Sequence, residues 1–187
     1  QRQLLETVSE TGTPTVLVLI SGRPLVLTDV IEHADAVVMG YLPGREGGQG
    51  IAEILFGEVN PSGRLPISMP KSIGQLPQTH DRLPHPTPIG ESEHPPSYDP
   101  LFEFGHGLSY AECSYEAIEV DESEVDAQDA VDVTVTLENR GERSTEEVVQ
   151  LYVRDLVSSR VTPVKELKAF DRVPVPAGER TSTTLSI

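Results

Sequence analysis

The sequence predicts a mixed protein, an α/β domain followed by an all-β sandwich, and three observations predict it. Two continuous apolar runs, TVLVLI at 15–20 and AVVMGYL at 36–42, each end in a glycine-bearing turn and lead into a helical segment. Eight prolines then crowd residues 70–100. Past Cys113 the chain alternates apolar and polar residues with the period of two that belongs to half-buried antiparallel strands.

Residues 1–12 read as the end of an amphipathic helix, with Leu4, Leu5 and Val8 on one face and Gly12 at its stop. TVLVLI is rich in β-branched residues and lacks alternation, which suits a parallel strand covered on both faces. Ser21-Gly22-Arg23-Pro24 turns the chain out of it, and 25–32 predicts a short helical segment. AVVMGYL is a second strand of the same kind. The turn after it, residues 42–50, packs four glycines around the Arg45–Glu46 pair. A loop so low in side chains, at the carboxyl end of a parallel strand, is where open α/β sheets bind ligands. A helix follows over 49–58, its apolar face made by Ile51, Ile54, Leu55 and Val59. Asn60-Pro61-Ser62-Gly63 is a turn, and 65–69 reads as a third, shorter strand. Strand and helix alternate at the spacing of βαβ units.

Prolines fit neither helix interiors nor central strands, so the stretch after Pro70 reads as an extended surface segment. His80, His85 and His94 lie along it at irregular spacing, as solvated or substrate-adjacent groups rather than metal ligands. LFEFGHGLSY at 101–110 reads as an ordered tether whose Phe104 and Tyr110 dock on an apolar surface. The remaining strands are SYEAIEV, AVDVTVTLEN, EEVVQLYVRD and RTSTTLSI, with turns at 139–142 and 176–179. An antiparallel sandwich usually has about seven strands; about five are visible, and the chain stops at Ile187 still in a strand pattern. The predicted boundaries are 1–77 for the α/β part, 78–113 for linker and tether, and 114–187 for the sandwich.

The net charge is -16, and Lys71, Lys165 and Lys168 are the only lysines. Phosphate binding needs clustered cations, so the composition disfavours nucleic acid as a partner. It reads as an evenly acidic, hydrated surface that stays soluble in high salt, the habit of a halophile, rather than as a patch for one partner. A membrane-spanning helix needs a run of about 18 or more apolar residues, and the sequence has none. No signal peptide is visible, but Gln1 reads as a point within a longer protein, so the sequence gives no localisation. The single cysteine excludes an internal disulfide framework and the common zinc patterns. No metal or organic cofactor is implied.

Four motifs in order carry a family resemblance: ISGRP, YLPGREGGQGIAEILFGEVNPSGRLP, FEFGHGLSY, and EEVVQLYVRD with PVKELKAFDRV and PAGE behind it. Together they resemble the carboxyl-terminal portion of glycoside hydrolase family 3, the β-glucosidase and β-xylosidase family, over nearly the whole chain. The resemblance implies a partial α/β sandwich domain followed by a partial fibronectin type III-like domain. It implies a preceding barrel as the main packing partner and a β-linked oligosaccharide or glycoside as substrate. The activity implied is retaining hydrolysis of terminal non-reducing β-D-glycosyl residues, which needs two carboxyl groups roughly 5 Å apart. The family's nucleophile is a barrel aspartate without counterpart here, and its acid/base glutamate is expected upstream of residue 1. The isolated chain is then expected to be inactive. The alternative is a non-catalytic, carbohydrate-associated or stabilising sandwich module. The absence of tryptophan and the scarcity of strand aromatics weigh against independent sugar binding.

Within the chain, Glu46 is the candidate carboxylate, because it sits in the glycine-rich loop at a strand's carboxyl end. It reads either as a pocket-lining group, in contact with sugar hydroxyls or orienting the acid, and the best candidate for a catalytic carboxylate within the chain, or as a cap on the following helix. Arg45 reads as surface charge or a substrate contact. Arg23 reads as a bidentate partner for a carboxylate across the crevice, or again as a substrate contact. Phosphate cradling by the loop is disfavoured, since no lysine accompanies it. His106 reads as a packing or rim contact, and Ser109 lacks the partners of a nucleophile.

Overall fold

In the computed structural model, residues 1–84, 98–122, 124–126 and 128–187 are described. They fall into two units. The first comprises Gln1–Glu58, Pro66–Thr79 and 98–104; the second comprises Val59–Leu65, 80–84 and Gly105–Ile187.

The first unit opens with helix α1, Arg2–Ser9, which buries Leu5 and leaves Leu4 exposed. Strands β1, Val16–Leu19, and β2, Ala36–Met39, pair in parallel, from Val16 opposite Ala36 to Leu19 opposite Met39. Helix α2, Gly47–Leu55, follows β2. The β-α alternation predicted from the apolar runs is therefore present. The strands are half-buried rather than covered on both faces by the described residues.

Two expected elements are absent. Residues 25–32 hold a turn and part of a single 3-10 turn, Ile31–His33, instead of a helix. Val26, Thr28, Val30 and Ile31 are β-branched, and so short a segment cannot offset the cost of nucleating a helix. Residues 65–69 form no strand, only an isolated bridge between Met69 and Phe102. Its bonds run from the Met69 N–H to the Phe102 carbonyl at 2.8 Å and from the Leu101 N–H to the Met69 carbonyl at 2.7 Å. Pro66 and Pro70 bracket this segment and have no N–H to extend a ladder.

The second unit is the sandwich. Strands β3, Cys113–Val120, β4, Asp132–Asn139, and β7, Arg180–Ser186, form one antiparallel sheet in the order β3-β4-β7. Strands β5, Thr145–Val153, and β6, Glu166–Val175, form the other. The alternation of β4 is fully expressed: Val133, Val135, Leu137 and Asn139 are buried and their neighbours are not. Val149 of β5, Val173 and Val175 of β6 and Leu185 of β7 complete the core. On the other face of β4, Thr134 and Thr136 exchange hydroxyl hydrogen bonds with Thr184 and Ser182 at 2.9 and 3.0 Å.

Both expected sandwich turns are present. Asn139, fully buried, donates its amide to the carbonyls of Arg143 and Val175 at 2.7 and 3.1 Å, which closes the turn after β4. At Gly178, φ is 72°, a left-handed conformation that glycine adopts without strain, and the chain reverses there from β6 into β7. Leu137, at 0% exposure, is the centre of this core. Leu137→Ala is expected to lower the unfolding free energy by about 2–5 kcal/mol in denaturant titration. Val120→Ala, at a residue 54% exposed, is expected to change it by less than about 1 kcal/mol.

Candidate functional site

The turns at the carboxyl ends of β1 and β2 lie side by side. A Cβ added at Gly22 would stand 3.2 Å from Cδ1 of Leu42. In the first turn the Ser21 hydroxyl donates to the Arg23 carbonyl at 3.0 Å and accepts its N–H at 3.4 Å, a side-chain-closed turn. In the second, Tyr41 and Gly44 take left-handed φ values of 50° and 72°. Gly47, the first residue of α2, faces Pro43 so closely that a Cβ would meet its ring at 2.4 Å. The second turn thus depends on glycine for both conformation and space.

Arg23, Arg45 and Glu46 are all exposed on these two turns. Glu46 occupies the N-cap position of α2 with φ -93° and ψ 5°, and its carbonyl accepts the Gly50 N–H at 3.1 Å. Its carboxylate makes no capping hydrogen bond. The expected carboxylate partner of Arg23 is also missing: among the described residues none pairs with it, and Arg45 is likewise without an ion-pair partner. Two guanidinium groups and one carboxylate therefore stand on adjacent turns, able to hydrogen-bond a polyhydroxylated ligand. Residues 21–24 and 41–47 contain one carboxylate, so these turns alone cannot supply the pair that retaining glycoside hydrolysis uses.

Tyr41 is the residue of this site that sequence reasoning missed. Its hydroxyl is buried without a hydrogen-bond partner among the described residues, and burial raises its pKa above the ordinary phenolic value. A strained backbone and an orphaned polar group at one position are features that cluster at functional sites. Nothing in a lone tyrosine between Gly40 and Leu42 signals either.

The other residues singled out fall elsewhere. His80, expected to be solvated or substrate-adjacent, is half-buried and sets its ring edge-on to Tyr152, with centroids 6.3 Å apart. His85 and His94 lie outside the described residues. Among the described residues no cluster of metal-ligating side chains is present. His106 is exposed, and its carbonyl accepts the Leu65 N–H at 2.8 Å. Ser109 bonds Asn60 and Thr145 through its hydroxyl, a structural use. Tyr110 is 49% exposed rather than a core anchor; what fixes it is its backbone N–H, which donates to Asn60 Oδ1 at 2.8 Å. A polar cavity of about 240 Å³ opens at the opposite end of the strands, lined by Ser9, Thr13, Thr15, Glu32, His33 and Asp35 among others. Ser9 and His33 are bonded to each other at 3.2 Å, and Asp35 accepts the Thr15 N–H at 2.7 Å.

A parallel β-α unit with glycine turns and an antiparallel sandwich make this a two-part chain of α/β plus all-β class, and the comparisons with known proteins give its family. The glycosyl hydrolase family 3 C-terminal domain matches residues 1–110, and the fibronectin type III-like domain matches residues 147–187. The chain belongs to glycoside hydrolase family 3. Over its full length it is 37% identical to a periplasmic β-glucosidase of Salmonella typhimurium and 35% identical to a β-xylosidase of Formosa agariphila, covering 26% of each. Among solved structures, a β-glucosidase from Erythrobacter marinus superposes over the whole chain with a TM-score of 0.90 at 38% identity. A Listeria innocua β-glucosidase in complex with glucose does so with a TM-score of 0.91 at 34% identity. The chain covers 24% and 27% of these two, so it spans about a quarter of the relatives it matches.

Tyr41→Phe removes a buried hydroxyl that has no partner. It is expected to leave stability unchanged or raise it by about 1 kcal/mol, read from the denaturant midpoint. A loss of more than about 1 kcal/mol would mean that the hydroxyl is bonded in solution.

Proposed function

We propose that this chain is the carboxyl-terminal part of a retaining β-glycosidase acting on terminal, non-reducing β-D-glycosyl residues. In this reading the turns at 21–24 and 41–47 form one wall of the sugar site. The observation that carries it is the end-to-end match to β-glucosidases and β-xylosidases, of which the chain is about a quarter. Arg23, Arg45 and Glu46, exposed and without ion-pair partners among the described residues, at the carboxyl ends of parallel strands support the location. Glu46 then contacts sugar hydroxyls or orients the acid, and the two guanidinium groups donate hydrogen bonds to ring or linkage oxygens. The nucleophile and the acid/base belong to the remainder of the full-length enzyme, and the isolated chain is inactive.

The test is an assay of the 187-residue chain on a panel of aryl β-glycosides, with the Glu46→Gln variant alongside. Neither is expected to turn over substrate. Turnover by the parent chain that the substitution abolishes would overturn the reading and make Glu46 the acid.

We also propose that the net charge of -16 is an adaptation to salt. Screening relieves repulsion among exposed carboxylates, so the thermal midpoint is expected to rise between low and molar sodium chloride. A fall over that range would contradict it.

A further inference from the structure

Val59–Leu65 lies before the sequence boundary at 77 and inside the stretch matched by the family's α/β domain, yet it packs with the sandwich. Arg64 is the centre of that packing. Its Nη2 donates to Glu147 Oε2 at 2.7 Å, and the two side chains are 11% and 9% exposed. Tyr115 of β3 donates its hydroxyl to the other oxygen, Oε1, at 3.1 Å. Burial of the hydroxyl end of Tyr115, a residue 56% exposed as a whole, and after it Glu147, raise its pKa above the ordinary phenolic value.

The contacts continue on both sides of Arg64. The Leu65 N–H donates to the His106 carbonyl and the Gly105 N–H to the Leu65 carbonyl, each at 2.8 Å, a short antiparallel exchange. Asn60 Oδ1 accepts the Tyr110 N–H at 2.8 Å, while its amide donates to the Ser109 hydroxyl at 2.9 Å. Arg172 of β6 donates to the Ser62 hydroxyl at 2.8 Å. The glycines of the GHG motif make room for this: a Cβ on Gly107 would stand 2.5 Å from the Gly63 carbonyl oxygen, and one on Gly105 would stand 2.1 Å from Gln150 Oε1.

We propose that Val59–Leu65 is an integral strap of the sandwich, bound by it as a built-in peptide ligand through Arg64, so that the sandwich folds as a unit only with the strap in place. The recognised ligand is a short extended segment, Asn-Pro-Ser-Gly-Arg-Leu. A buried carboxylate on β5 takes its arginine, and an opposed backbone at 105–106 takes its main chain. A sandwich cut at residue 114 lacks both the cation for Glu147 and the backbone partners of the strap.

Native-state hydrogen exchange on the intact 187-residue chain tests this without any substitution. Members of one cooperative unit open together, so the Leu65 and Gly105 amides are expected to exchange within about tenfold of the β4 amides and with the same denaturant dependence. Strap amides more than about tenfold faster than β4, with little denaturant dependence, overturn the proposal. In the Arg64→Met variant the strap and β4 amides are expected to speed up together by at least about tenfold, with β1 and β2 unchanged. Acceleration of the strap alone also overturns it. Adding Glu147→Leu to Arg64→Met is expected to restore part of the protection, because the stranded charge is then gone.

Discussion

The carboxylate of Glu147 is the constraint that most of the second unit answers to. It lies on the inward parity of β5, in step with Thr145 and Val149, where a charge must be compensated. Removing one member of such a buried pair costs about 3–5 kcal/mol, since the other is left charged in a poor solvent. Compensation comes from outside the five strands, in Arg64, and from the neighbouring sheet, in the Tyr115 hydroxyl. This also fixes register: a slip of one residue would turn Glu147 outward and put Glu146 in its place. Glu146 is instead half-exposed and pairs with Arg172 at 3.1 Å. Contrast Glu138 at the end of β4, which Arg180 of β7 and Arg140 of the following turn grip at 2.9 and 2.6 Å, lowering its pKa. There both guanidinium groups are exposed to water, and ion pairs with exposed partners contribute little to stability.

Much of this was legible in the sequence, for a physical reason. Strand β4 carries an uninterrupted period of two, β5 carries it from Thr145 to Val149, and the apolar runs at 15–20 and 36–42 are punctuated by turn residues, so local pattern and final structure agree. Where the sequence misled, the local pattern was too short to decide. Residues 25–32 have a helical count of apolar positions but β-branched side chains, and 65–69 has strand composition but a proline at either end of its backbone ladder. The strap shows a third kind of limit. Arg64 and Glu147 are 83 positions apart, and only the odd parity of Glu147 among inward residues marked it as a charge in need of a partner.

The candidate site was legible as a place and not as a chemistry. Glycine content marked the turn at 42–50, and the structure shows what those glycines do: Gly44 takes the left-handed φ and Gly47 clears Pro43. It could not show whether Glu46 would cap α2, because capping depends on a rotamer that sequence does not fix. The N-terminus of α2 favours a negative charge nearby whether or not the side chain bonds to it. A general acid, by contrast, must keep its proton at the working pH, which takes burial against apolar or like-charged neighbours. Glu46 stands exposed between an arginine and three glycines at 47, 48 and 50. Those surroundings suit the proposed role of accepting hydrogen bonds from a ligand's hydroxyl groups. Arg23 and Arg45 have no ion-pair partner among the described residues, and a donor not already satisfied by a buried carboxylate has more to offer the ligand proposed for this site. Under the proposed reading, charged groups on glycine-cleared turns suit a polyhydroxylated ligand, and the two reacting carboxylates lie elsewhere in the enzyme.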